Sequence, residues 1–290
     1  MQFIIFILAY PIIWFISILP FRILYFFSDV AYILVYHIIR YRRKVVRENI
    51  AITLPHLSEK ERLVIEKKSY HHLCDMFLEM MKTMTISQKE MDKRFVFTNL
   101  ELYQDLEKKG KSIAVMIAHY ATYEWVISMN KHIQFEGFAI YKKVNNKYFD
   151  KLVKDIRSKF KATLITTKET IPTIEKNIRN NHHGVYGFAS DQSPQVHKAF
   201  HWTKFMGIDT PVHTGAEMLA KRFDMNVIFL RVKKVKRGFY EATFELMFDN
   251  PKKVPNYQIS DEFLKRVEKQ ILEAPEFYLW THKRWKHKKI

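Results

Sequence analysis

The chain is short of the residues that build cross-links and loops. One cysteine, Cys74, in 290 residues excludes a disulfide framework and a zinc site made mainly of cysteines, and it suits folding in a reducing compartment. With seven glycines, nine prolines and 15 % aromatic residues, collagen-like, low-complexity and disordered architectures are excluded and a large core is affordable. Acidic residues are scarce too: 30 Asp and Glu stand against 48 Lys and Arg, a formal charge of +18. That excess concerns partners and says nothing of fold. It allows nucleic acid, an anionic membrane surface or acidic substrates.

Charge is almost missing from the first 39 residues, which hold only Arg22 and Asp29 and begin with the uncharged run FIIFILAYPIIWFISIL at positions 3 to 19. Seventeen residues is the short end of a membrane span. No basic n-region or small-residue cleavage site precedes the charged block, so an uncleaved anchor is expected in place of a signal peptide. Arg40, Arg42, Arg43, Lys44 and Arg47 follow directly, which by the positive-inside rule puts the rest of the chain in the cytoplasm and sets the block against anionic headgroups. A second basic cluster, Lys283, Arg284, Lys286, Lys288 and Lys289, is interleaved with Tyr278, Trp280 and Trp285, a composition suited to a membrane interface. Neither a helix-turn-helix nor a zinc-finger or RNP signature accompanies it, and nucleic acid is not an expected partner.

All seven glycines fall after residue 109. Three regions are expected: a hydrophobic anchor over 1–39, a helical region over 40–110, and an α/β domain over 111–290. In the second, apolar periodicity runs through Leu63, Ile65, Tyr70, Leu73, Phe77 and Met80 behind a capping box at Ser58 and Glu61. In the third, short apolar runs alternate with amphipathic stretches, the pattern of a mixed, mostly parallel sheet flanked by helices. Strands are predicted near 112–117, 138–141, 185–189, 226–232 and 239–248, with helices near 121–132, 147–160, 168–180, 213–223 and 260–273.

The first of these strands runs into His119-Tyr120-Ala121-Thr122-Tyr123-Glu124. On one regular helix His119 and Glu124 would point about 140° apart. They meet only if His119 lies in the turn before the helix and Glu124 a turn inside it. A histidine oriented by a carboxylate is a general base with a stabilised imidazolium. Open α/β sheets bind ligands at the carboxyl ends of their strands, so Lys142, Asp191 and Gln192, each just after a predicted strand, share a rim with His119. A base, a cation and an anionic or amide group around one cleft suit acyl or phosphoryl transfer, although polar residues after strands are also ordinary turn chemistry. No metal site is expected. His197 and His201 have helical metal-ligand spacing without a third ligand, and Ser193 lacks a G-x-S-x-G elbow.

These blocks resemble a known family. H-Y-A-T-Y-E is similar to the H-x-x-x-x-D/E block of glycerolipid acyltransferases, and more closely to the H-F-G-N-W-E form of the bacterial lipid A biosynthesis (late) acyltransferases. RRKVVRENIAITLPHLSEKER, FASDQSP, FMGIDTPVHTGAEMLAKR and YLWTHKRWK resemble further segments of that family in the same order. The resemblance implies an inner-membrane enzyme of a Gram-negative bacterium with its catalytic domain on the cytoplasmic face. It would move a fatty acyl chain from acyl carrier protein, or coenzyme A, to a hydroxyl of a lipid A precursor, with no bound cofactor and no covalent intermediate. By that match His119 is the base and Glu124 its partner, while Lys142, Asp191 and Gln192 serve substrate, phosphate or oxyanion. Trp202, Phe205, Met206 and Gly207 are candidates either for an acyl-chain tunnel or for plain core. The chain departs from the family pattern at Ala121, Tyr123, Lys142 and Gln195, where Gly, Trp, Arg and Gly are usual. These departures bear on the acceptor, which could be another lipid such as a lysophospholipid or an aminoacyl lipid. A non-catalytic binder of anionic lipid or nucleic acid is the reading from a different class.

Overall fold

The computed structural model describes residues 2–289. Helix α1 (Gln2–Ile18) turns at Pro20 into α2 (Phe21–Tyr32), which runs on without a break as π-helical turns over Ile33–Ile39. Then come α3 (Arg43–Thr53), α4 (Glu59–Lys82), α5 (Gln88–Arg94), β1 (Phe95–Thr98), α6 (Leu100–Lys108) and β2 (Ile113–Ile117). A 3-10 helix, Tyr123–Lys131, leads to β3 (Glu136–Tyr141), α7 (Lys147–Ser158), β4 (Thr163–Thr166), α8 (Thr170–Arg179) and β5 (Gly184–Ala189). The chain finishes with β6 (Trp202–Phe205), β7 (Ile208–Pro211), α9 (Gly215–Arg222), β8 (Asn226–Lys236), β9 (Phe239–Phe248) and α10 (Gln258–Glu273).

Seven strands form one sheet in the order β1-β9-β8-β2-β5-β3-β4, and β6 pairs with β7 in a separate hairpin. Every pairing in the large sheet is parallel except β8 with β9. The protein therefore has the expected α/β fold. Its central strands are hydrophobic throughout, as burial on both faces requires: all of Ile113, Ala114, Val115 and Met116 are buried, as are Val227 to Leu230.

Two expectations change. The region over 40–110 is not purely helical, because β1 joins the edge of the sheet against β9; four residues emerging directly from α5 carry too little alternation to be read. The helix expected over 121–132 is a 3-10 helix. Within α4, the predicted capping box is formed, with the Ser58 hydroxyl accepting from the Glu61 backbone N–H and the Glu61 carboxylate accepting from the Ser58 N–H. What the apolar periodicity of α4 conceals is a polar stripe, Glu66, Asp75, Glu79 and Lys82, that is buried.

That stripe holds the N-terminal helices. Tyr36 donates to Glu66, Ser28 to Asp75 and Tyr25 to Glu79, while Lys82 donates to the carbonyls of Ser17 and Leu19. Arg237, in the β8–β9 turn, bridges Asp75 to Asp29. Arg43 and Arg47 of the first basic block are ion-paired with Glu66. Among the described residues one helix, Phe21–Ile39, is long and apolar enough to cross a membrane.

Candidate active site

His119 and Asp191 meet because of sheet register. In the parallel pair β2–β5, Ile117 lies opposite Ala189, and two residues further along each strand bring the chain to His119 and Asp191. The Asp191 carboxylate accepts from the backbone N–H of His119 at 3.1 Å and lies 2.7 Å from its Nδ1. With Nδ1 engaged, Nε2 is the nitrogen left for a reacting group. Burial alone would depress the His119 pKa, but the charge and hydrogen bond of Asp191, with a further contribution from Glu124, reverse this and raise it above the usual histidine value. Asp191 is 1 % exposed. Burial opposes its charge, and His119 together with its backbone N–H more than compensates, so its pKa falls below the ordinary aspartate value.

Glu124 is therefore not the carboxylate that orients His119. It sits on the first turn of the 3-10 helix, as expected, but both its oxygens accept from Arg157 of α7, at 2.8 to 3.0 Å. The guanidinium fork satisfies both carboxylate oxygens, while the imidazole has its hydrogen bond with Asp191. Arg157 was not read from the sequence. Its one signal is position: it follows Leu152, Val153 and Ile156 on the apolar side of α7, where an arginine calls for a buried partner.

The turn carrying His119 is braced from behind by the C-terminal segment. Leu279 N–H donates to the His119 carbonyl, Ala121 N–H donates to that of Phe277, and Tyr120 pairs with Tyr278. Ala121 has φ +49°, a left-handed conformation that a side chain resists, and these bonds hold it there. The aromatic residues expected at a membrane interface are core instead. Tyr278, Trp280 and Trp285 are at most 4 % exposed and Arg284 is fully buried, donating to Thr210. Lys283, Lys286, Lys288 and Lys289 alone remain on the surface.

In front of His119 opens a cavity of about 740 Å³, within the usual range for small-molecule sites of about 300–1,000 Å³. Its floor is one face of the sheet, where Val115 lies opposite Gly187 and Gly187 opposite Ala139. These small side chains leave the volume open, and Val126, Ile127, Met218 and Leu219 wall it. His119, Tyr123, Glu124, Lys142, Arg157 and Gln192 also face it, so the predicted rim is assembled, with the buried Asp191 behind the histidine. Trp202, Phe205, Met206 and Gly207 are not among the lining residues. They form the β6–β7 hairpin, in which Met206 and Gly207 take φ +55° and +76° and Phe205 stacks on Trp285 at 5.6 Å. Two central residues with positive φ make a type I′ turn; a hairpin packed against the C-terminal tryptophan cannot wall the cavity.

Among the described residues no group of three or more His, Cys, Asp or Glu side chains is placed to hold a metal ion. His201 stacks on Tyr257 and lies 2.8 Å from Asp261, which leaves His197 outside any cluster.

A histidine–carboxylate pair at the carboxyl ends of parallel strands, opening on a largely apolar cavity, is the arrangement of an α/β enzyme. The chain matches the family model described as bacterial lipid A biosynthesis acyltransferase over residues 1–287, and it belongs to that family; it is an acyltransferase. Among curated proteins it is similar to the lipid A biosynthesis lauroyltransferase of Escherichia coli K12, with 21 % identity over 283 residues covering 96 % of this chain and 90 % of the relative.

Proposed function

We infer that the protein transfers a fatty acyl chain from a thioester, of acyl carrier protein or of coenzyme A, to a hydroxyl of a lipid A precursor. It would do so at the cytoplasmic face of the bacterial inner membrane. His119, oriented by Asp191 and open to the apolar cavity, is the observation that carries this reading. Nε2 removes the proton of the acceptor hydroxyl as its oxygen attacks the thioester carbonyl. The tetrahedral intermediate then collapses to the ester and expels the thiolate, which takes the proton back from the imidazolium. Asp191 fixes the tautomer and stabilises the imidazolium, as the aspartate of a hydrolase triad does, with the acceptor in the place of a protein nucleophile.

Glu124 and Arg157 form a fixed charge pair on the wall beside His119 and position the groups around the thioester carbonyl. Lys142, exposed at the rim, supplies positive charge to a phosphorylated acceptor without the bidentate fork of the family's usual arginine. Cys74 is buried among helices, and burial pushes its thiol up to about 12, so it serves as a small apolar group and not as a nucleophile.

The test is acyl transfer from labelled acyl carrier protein thioester to lipid A precursor, with wild type and His119→Ala membranes side by side. Loss of the base is expected to lower the rate by roughly 10²–10⁴-fold; equal transfer by the two would sink the assignment. If wild type leaves the lipid A precursor untouched, mass spectrometry of total lipids from a deletion strain identifies the acceptor.

A further inference from the structure

Both ends of α1 are fastened to the same folded domain. At its start, Asn146 donates to the Gln2 carbonyl, and Phe3 and Phe6 pack on Tyr148 and Phe149 at 5.1 to 5.6 Å between ring centres. At its end, Lys82 donates to the Ser17 and Leu19 carbonyls at 2.8 Å. The following arm is fastened likewise, through Tyr25 and Ser28 near its start and Tyr36 near its end. Seventeen residues of helix are about 25 Å long, most of the thickness of a hydrocarbon core of about 30 Å. A helix crossing that core cannot have polar residues of one water-exposed domain at both its ends.

Yet the outward sides of both helices are apolar and bare. Leu8, Ile12, Phe26, Ile33, Ile38 and Ile39 are each more than half exposed, and the only charges in the first 39 residues are Arg22 and Asp29. Cations bracket this surface: Arg40, Arg42 and Lys44 follow the arm, and Lys142, Lys143 and Lys147 surround the start of α1. A continuous apolar surface of this extent is not left to water, and cations at both margins fit anionic headgroups.

We propose that α1 and the α2 arm lie flat in one leaflet of an anionic bilayer, as an in-plane platform and not a span, with the mouth of the acyl cavity at its margin. The mouth is placed by the same contacts. Tyr141, Lys142 and Val144 line the cavity, and the adjoining Asn145, Asn146 and Tyr148 hold Gln2, Phe3 and Phe6. A lipid substrate thus moves its acyl-bearing end from the leaflet into the cavity without crossing water, and Arg22, on the first turn of α2, reaches back to the headgroups. This rests on the membrane part of the proposed function and adds its geometry.

The experiment uses the full chain with Cys74→Ala and one new cysteine, at Gln2, at Arg22 by the α1–α2 turn, or at Lys44, and a membrane-impermeant maleimide. The in-plane arrangement expects all three positions to be protected in spheroplasts and labelled in inverted membrane vesicles. Labelling of any one of them in spheroplasts, Arg22 alone for a hairpin of two spans, overturns the platform while leaving membrane attachment standing. Flotation of the same proteins with vesicles of phosphatidylethanolamine and phosphatidylglycerol tests attachment itself. Absence from the floating fraction overturns both readings, and if sedimentation then shows a dimer, the apolar surface belongs to a second copy of the chain.

Discussion

At the scale of single residues, the site is governed by which carboxylate faces the imidazole. Asp191 raises the His119 pKa, and the free imidazole is the form that accepts a proton. Activity is therefore expected to rise with pH through an inflection above the usual histidine value of about 6.5. Asp191→Asn removes the charge that causes the rise, so its residual activity should show the inflection at lower pH. A pH profile of kcat/KM for the two proteins checks this, and an unmoved limb would assign the titration to another group. The same linkage sets stability. A raised histidine pKa contributes stability below its unfolded value that is lost as pH climbs through the folded one, whereas the depressed Asp191 contributes stability that is lost on acidification. The Glu124–Arg157 pair is nine-tenths and about four-fifths shielded on its two sides, so deleting either partner strands a buried charge. Each of Glu124→Gln and Arg157→Gln should cost about 3 kcal/mol, and the double variant less than their sum, as measured by denaturant unfolding. Additive losses would mean that the two side chains are independently solvated.

At the scale of elements, two glycines make a contrast. Gly187 lies in β5 on the cavity floor, and a Cβ there would meet nothing closer than 3.7 Å, so a larger side chain grows into the cavity. Gly207 needs its positive φ for the hairpin turn, and the space around it is open. Gly187→Leu should therefore shorten the acyl chain that is transferred, read by mass spectrometry of the product. Gly207→Ala should leave chain length unchanged and cost about 1 kcal/mol of stability; the reverse pattern would return the acyl chain to the hairpin. What could be read from the sequence follows the same division. Strands β2, β3 and β5 are apolar runs ended by polar turns, and His119, Lys142 and Asp191 are legible simply as residues in those turns. The partner of His119 was misread because chain proximity favours Glu124, while sheet register, which local spacing does not encode, delivers Asp191. The C-terminal tryptophans were misread for a related reason: aromatic and basic residues in alternation describe an interface and a buried segment with a solvated edge equally well.

At the scale of the whole molecule, hydrophobic composition sets the first 39 residues apart, but the in-plane seat proposed for them depends on polar contacts scattered over the sequence. Tyr25, Ser28 and Tyr36 carry no obvious signal, and their partners Glu79, Asp75 and Glu66 look like ordinary charges on an amphipathic helix. Only the packed structure shows that the apolar N-terminal helices are held to the rest of the fold along one polar seam. The turn that holds His119 depends in turn on the backbone of Phe277 and Leu279, at the other end of the chain. During synthesis the histidine and its aspartate leave the ribosome long before the segment that braces them. The apolar N-terminal helices can thus emerge while the active site is still unformed, and the turn that carries the base is braced only once Phe277 and Leu279 have folded back behind it.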